Sequence, residues 1–209
     1  MMALGLSRDA VPVPPYAALK SGALSVICIE DDLASTPRDR MALQLGGSRA
    51  LSCFLPFAPT ALPDAERALS WCEARQEEIV ALLTQLDDGR QITLTCGIND
   101  APVTTETDSG AGWLRQKAQR KQARQQQAQE LRQWVEAMCA DLPVRDIADE
   151  HGAGVLRLHL LIGAADAPDV LAQLHARLAE DGKGRATGLQ LTLTGPWPAY
   201  NFTNLGAAA

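Results

Sequence analysis

The sequence of 209 residues predicts an α+β fold made of two small domains. Leu189, Leu191 and Leu193 alternate with polar residues, which is the period-2 pattern of a strand with one buried face. Residues 63–86 instead carry apolar side chains at helical spacing. The predicted elements between residues 23 and 98 follow the order strand, short helix, strand, long helix, strand. That order favours a sheet with helices packed on one face.

The first 22 residues are predicted to form a loose N-terminal arm, because Pro12, Pro14 and Pro15 interrupt them and few apolar positions are periodic. Residues 23–100 then form an N-terminal α+β domain. Its predicted strands cover 23–30, 50–57 and 91–98. Its predicted helices cover 36–45, which the glycines at 46 and 47 close, and 63–86, which the turn at 87–89 ends.

Residues 101–209 form the predicted C-terminal domain, and a polar linker at 99–112 spans its start. A long helix over 113–141 begins it, and a turn region at 143–154 follows. A strand at 155–162, a helix that Asp166 caps and the strand at 189–194 come next; Gly195 and Pro196 are expected to end that last strand. Such an α-β-α-β order completes a split-βαβ, ferredoxin-like sheet if one further strand pairs with it.

Composition argues against several classes of protein. The formal charge of −6 disfavours general affinity for nucleic acid. No run reaches the roughly 18 apolar residues of a membrane-spanning helix, and the N-terminus lacks the layout of a secretory signal. The five cysteines are widely spaced, with no C-x-x-C pair, so we expect buried, reduced thiols. A cytoplasmic protein without membrane contact is predicted.

The sequence contains no recognisable catalytic or metal motif. Its histidines, His151, His159 and His175, are dispersed, and none belongs to a nucleophile or ligand pattern. His159 lies opposite the leucines of its strand, so we expect it to face solvent or to be a satisfied residue within a sheet. No nucleotide-binding loop is present either. We therefore predict a protein that is not an enzyme and that holds no cofactor or metal.

The long helix is rich in glutamine and cations. Its cations include Arg115, Lys117, Arg120, Lys121 and Arg124, and apolar residues mark only its ends. This layout is typical of a helix that packs its ends and projects its middle into solvent. Three interpretations remain open for the basic middle. It is a solvated face, a surface along nucleic-acid phosphates, or a docking site, either for an acidic or amphipathic partner or for a second helix of the same kind in a helical hairpin or coiled coil.

Two stretches carry a family resemblance. Residues 195–202 read Gly-Pro-Trp-Pro-Ala-Tyr-Asn-Phe, which resembles the C-terminal signature of the gas vesicle GvpL/GvpF family, with Ala199 in place of the usual second proline. Residues 112–117 read Gly-Trp-Leu-Arg-Gln-Lys, which is similar to the family's Tyr-Leu-x-x-Lys helix. The resemblance covers residues 50–202 and is strongest at 109–142 and 187–202.

The resemblance implies a two-domain α+β protein whose C-terminal domain is a modified ferredoxin-like sheet with a long helix. It also implies a gas vesicle accessory or minor structural protein that binds the hydrophobic shell protein GvpA during assembly and is located in the cytoplasm at the gas vesicle. Other accessory proteins are further expected partners. The alternative is a nucleic-acid-binding regulatory protein that uses the helix at 113–141. Candidate partner-binding residues are Trp113, Arg115, Lys117, Arg120, Lys121, Arg124, Trp197 and Tyr200.

Overall fold

The computed structural model describes residues 1–8, 13–51, 53–58, 63–97, 110–152, 155–181 and 191–203. The predicted α+β class is confirmed. Most of the predicted linker at 99–112 and the start of the predicted strand at Leu189 lie outside these ranges.

The strands are β1 (Met2–Ser7), β2 (Ala17–Ser21), β3 (Leu24–Ile29), β4 (Leu55–Pro56), β5 (Gly89–Gly97), β6 (Val144–Gly152), β7 (Val155–Gly163) and β8 (Leu191–Pro198). The helices are α1 (Pro37–Ala50), α2 (Ala65–Ala74), α3 (Gln76–Leu86), α4 (Gly110–Cys139) and α5 (Ala167–Asp181), with 3-10 turns at Asp31–Ala34 and Tyr200–Phe202.

The first sheet has the antiparallel order β2-β3-β1-β4. The prediction of a loose arm over residues 1–22 is therefore wrong for β1 and β2. Strand β1 is buried from Ala3 to Ser7, on both faces of the sheet. A strand that is covered on both sides needs no alternation of apolar and polar residues, so its sequence does not show the period-2 pattern.

Helix α1 continues beyond the predicted end at Leu45, through Gly46 and Gly47. Thr36 caps its start as predicted, in a reciprocal pair with Asp39: the Asp39 amide donates to Thr36 Oγ1 at 3.2 Å. A Cβ at Gly46 would lie only 2.4 Å from the Tyr16 hydroxyl oxygen. The absence of a side chain at these glycines lets Tyr16 pack closely against the helix, and the helix does not end there. Because α1 extends to Ala50, only β4 remains of the strand predicted at 50–57.

The predicted helix at 63–86 is two helices, α2 and α3, that meet at Arg75. Asp64 caps α2, accepting a hydrogen bond from the Arg67 amide at 2.8 Å. At Arg75 the backbone leaves the helical region, with φ −133° and ψ 26°. The Arg75 guanidinium lies 5.4 Å from the centroid of Trp71 and pairs with Glu78 at 2.9 Å, so the side chain bridges the two helices.

The second sheet has the antiparallel order β6-β7-β5-β8. With α4 between β5 and β6, and α5 between β7 and β8, this is the β-α-β-β-α-β arrangement of a ferredoxin-like unit. The sheet contains two strands beyond those of the predicted α-β-α-β unit, β5 and β6, and β5 precedes the proposed domain boundary at residue 100. The division into 23–100 and 101–209 stays a prediction, although this sheet spans that boundary.

Two predictions about the second sheet are wrong. Strand β6 occupies the predicted turn region at 143–154; it is an edge strand exposed over much of its length, so its apolar residues are few. Strand β8 continues through Gly195 and Pro196 to Pro198 instead of ending there. Because β8 is also an edge strand, the amide hydrogen that proline lacks is not needed for a hydrogen bond to a neighbouring strand. Gly195 has φ +127°, and a Cβ there would lie 2.8 Å from the Gln91 carbonyl oxygen.

The apolar core lies on both faces of the second sheet. On one face Ile92, Leu94 and Cys96 of β5 pack with the inner sides of α4 and α5. On the other, Leu161 and Ala199 join a cluster that includes α2, α3 and the first sheet, so the two sheets share apolar packing. The five cysteines are buried and free, as predicted. Within the described ranges no helix is long and apolar enough to cross a membrane.

The Gln44 side chain on α1 forms hydrogen bonds with residues from both halves of the chain. Its side chain is fully buried. The amide nitrogen donates to the carbonyl oxygens of Leu4 at 2.8 Å and Phe57 at 2.7 Å. The amide oxygen accepts from the Tyr200 hydroxyl at 3.0 Å. A single side chain therefore satisfies groups from β1, from the residue after β4 and from the C-terminal segment.

Replacing Gln44 by alanine is expected to lower the free energy of unfolding by about 2–3 kcal/mol, because it leaves buried polar groups without partners. Gln85→Ala, on the exposed side of α3, is the matched control and should change stability by less than about 0.5 kcal/mol. Urea denaturation followed by circular dichroism measures both. Equal stabilities for the two variants would contradict this role for Gln44.

Candidate functional site

A groove lies between the first half of α4 and the end of β6, and we call it the basic groove. Its volume is about 670 Å³. The α4 wall supplies all of its cations, and the β6 end supplies an imidazole and a glycine. The lining residues are Trp113, Gln116, Lys117, Arg120, Lys121, Arg124, Gln125, His151 and Gly152. None of these carries a carboxylate.

The cations of the basic groove share one face of α4. Lys117, Arg120, Lys121 and Arg124 follow the spacing i, i+3, i+4, i+7, which places side chains in a row along a helix. Trp113 lies one turn before Lys117, and the Lys117 ammonium is 5.0 Å from the centroid of its ring, within the range of a cation–π contact. The indole remains 53% exposed, so one of its surfaces is available to a ligand.

His151 stands on the opposite wall of the groove. Its Nε2 lies 2.9 Å from Asp149 Oδ2, and Asp149 also accepts from Arg132 of α4. The sequence shows His151 only as one of three dispersed histidines. Its position opposite the cations depends on the pairing of β6 with β7, which no local pattern predicted.

The structure brings five of the eight predicted partner-binding residues together in this groove. They are Trp113, Lys117, Arg120, Lys121 and Arg124. Arg115 is exposed on α4 but does not line the groove. Trp197 and Tyr200 lie elsewhere, in β8 and in the 3-10 turn that follows it.

The aromatic segment at 197–202 packs against the protein's own core. Trp197 donates from Nε1 to Thr194 Oγ1 at 3.3 Å, and Phe202 contacts the cluster that both sheets share. Burial raises the pKa of Tyr200 to about 12. This ring also borders a small apolar pocket of about 240 Å³, which we call the Tyr200 pocket. It is lined by Met41, Pro56, Ala58, Tyr200 and Thr203.

A buried polar cluster lies beneath this segment. His159 is 3% exposed, and its Nδ1 lies 3.0 Å from both Gln91 Nε2 and Thr93 Oγ1. Gln91 also exchanges two hydrogen bonds with Asn201: its Oε1 accepts from the backbone amide at 2.9 Å, and its Nε2 donates to Oδ1 at 3.0 Å. Of the two expected environments for His159, the structure shows a buried residue within the sheet. Its Nδ1 is hydrogen-bonded, whereas its Nε2 has no hydrogen-bond partner among the described residues.

Desolvation dominates the ionisation of His159. Burial lowers its pKa below the ordinary value of 6.5, and the Glu150 carboxylate, 3.5 Å from Nε2, opposes that effect. No group of three or more His, Cys, Asp or Glu side chains that could hold a metal ion occurs among the residues that the structure describes. That the protein is not an enzyme stays a prediction.

A family profile described as gas vesicle synthesis protein GvpL/GvpF matches residues 54–204, and the chain belongs to this family. The predicted family resemblance is therefore confirmed, and the protein has a gas-vesicle-related role. No curated protein matches the chain.

Two solved structures share the fold across nearly the whole chain. The gas vesicle protein GvpF from Microcystis aeruginosa is 10% identical, with 98% of this chain and 99% of that chain covered and a TM-score of 0.71. GvpF from Anabaena sp. PCC7120 is also 10% identical, with 98% and 96% covered and a TM-score of 0.70. At this identity the likeness shows the fold.

The buried imidazole predicts a pH dependence of stability. Between the lowered pKa of folded His159 and 6.5, the unfolded chain binds more protons than the folded one, so stability falls as the pH decreases through that window. NMR titration should give a His159 pKa below 6.5. His159→Gln should reduce the loss of unfolding free energy between about pH 7 and about pH 5. A His159 pKa at or above the ordinary value would contradict the prediction.

Proposed function

We propose that the protein is a gas vesicle accessory or minor structural protein that binds the hydrophobic shell protein GvpA during assembly and catalyses no reaction. The observation that carries the proposal is the family match over residues 54–204. In this function the protein acts in the cytoplasm, at the growing vesicle, and other accessory proteins are further partners.

The physical need for such a protein comes from the shell subunit. A subunit that exposes apolar surface before it joins the wall aggregates unless another surface covers it. The Tyr200 pocket offers a surface of that kind. Met41, 44% exposed, and Pro56 supply aliphatic contact beside the Tyr200 ring. The ring is held in place by its hydrogen bond to Gln44.

A second apolar surface lies at the start of α4. Leu114 is 61% exposed there, next to the exposed Trp113. We assign Leu114 and Tyr200 to direct contact with the shell protein, whereas Trp113 lines the basic groove. Trp197 is assigned a supporting role, because its indole is half-buried and bonded to Thr194 in the strand that leads to Tyr200.

Co-expression tests the proposed function. GvpA produced together with this protein is expected to show a larger soluble fraction than GvpA produced alone, measured by centrifugation and quantitative immunoblotting. The two proteins should also co-purify. Equal solubility with and without this chain would contradict the proposal.

A charge introduced into the Tyr200 pocket tests whether this pocket contacts GvpA. Met41→Glu should reduce the GvpA that co-purifies by about fivefold or more, because binding then desolvates a carboxylate against apolar groups. Val13→Glu, at an exposed apolar residue that does not line the pocket, is the matched control and should retain binding. Circular dichroism confirms that both variants are folded. Equal retention of GvpA by both variants would exclude this pocket as the contact.

A further inference from the structure

The basic groove recognises charge, whereas the proposed contact with the shell protein is apolar. Four cations point along one wall, and the lining residues contain no Asp or Glu. We propose that the groove binds an acidic segment of a partner polypeptide, a run of about five or six residues rich in Asp and Glu. This interaction goes beyond the proposed function and does not depend on it.

The free protein carries an electrostatic cost that such a segment would relieve. Like charges three or four residues apart on a helix repel each other and destabilise the helix. Lys117 and Lys121 form one such pair, and Lys117 and Arg120 form another. Within the described part of the chain, no carboxylate forms an ion pair with Lys117, Arg120 or Lys121. Carboxylates of a ligand would supply the missing counter-charge.

The dimensions of the groove limit the length of the segment. The α4 wall runs from Trp113 to Gln125, which is roughly 18 Å at 1.5 Å per residue. An extended peptide rises about 3.3 Å per residue, so five or six residues span the wall. Ligand sites commonly enclose about 300–1,000 Å³. The groove volume of about 670 Å³ falls inside that range.

Two observations favour a peptide over nucleic acid. The groove contains a single aromatic ring, Trp113, whereas proteins that bind single strands stack successive bases on several rings. The whole chain carries a formal charge of −6, so the rest of the protein, outside the cations of the groove, is strongly acidic. That remainder repels a long polyanion but tolerates a short acidic segment that stays within the groove.

Fluorescence anisotropy with a fluorescein-labelled hexaglutamate peptide tests the proposal. The wild-type protein should bind the peptide saturably, and added salt should weaken the binding. Arg120→Glu should weaken it by about fivefold or more. Arg115→Glu is the matched control, because it makes the same charge change at an exposed arginine of α4 outside the groove. It should alter the affinity less than about twofold.

Three results would overturn the proposal: no saturable binding of hexaglutamate, equal losses for Arg120→Glu and Arg115→Glu, or tighter binding of a short DNA oligonucleotide than of the peptide. The result is also separable from the proposed function. Met41→Glu lies outside the groove and should leave peptide affinity unchanged while it reduces GvpA binding. Loss of peptide binding in Met41→Glu would contradict the assignment of two separate surfaces.

Discussion

The hydrogen-bonded pair of Gln91 and Asn201 holds the C-terminal segment on the second sheet. Gln91 is buried on β5, where an unsatisfied amide would be costly. Asn201 satisfies both ends of that amide, which turns the chain back after β8. Tyr200 is thereby brought within hydrogen-bonding distance of Gln44 on α1. The position of Tyr200 beside its pocket therefore depends on hydrogen bonds to the second sheet and to α1, through Asn201 to Gln91 and through its own hydroxyl to Gln44.

Helix α4 serves two different purposes along its length. Its second half packs Leu131, Val135 and Met138 into the core beside the second sheet. Its first half remains exposed and carries the cations of the basic groove. Burial of the second half fixes the direction of the first, so the charged row is presented on a rigid element. A surface on a rigid helix loses less conformational freedom on binding than one on a loop.

The sequence revealed the parts of the fold in which apolar and polar residues alternate or apolar residues recur at helical spacing. Ile92, Leu94 and Cys96 alternate with polar residues, and β5 was predicted closely for that reason. Strand β1 was missed because its residues, Met-Ala-Leu-Gly-Leu-Ser, neither alternate with polar residues nor include a β-branched side chain, and β6 because it is largely exposed. The cations of the groove were recognised in the sequence as part of the basic middle of the long helix, and their common face became clear only from the groove that they line. Its opposite wall at His151 depends on strand pairing between distant residues, which local patterns do not contain.

The position of β5 between β7 and β8 limits where recombination between homologous genes can leave the second sheet intact. Both β7 and β8 pair with β5. If recombination joined two parent genes between β5 and α4, the hydrogen-bonded strands of one sheet would come from different parents. The polar stretch that separates these elements resembles a natural joint in the sequence, yet it connects consecutive parts of a single folding unit. Exchange of modules among homologues would succeed only with crossover points that keep Gly89–Pro198 as one inherited block.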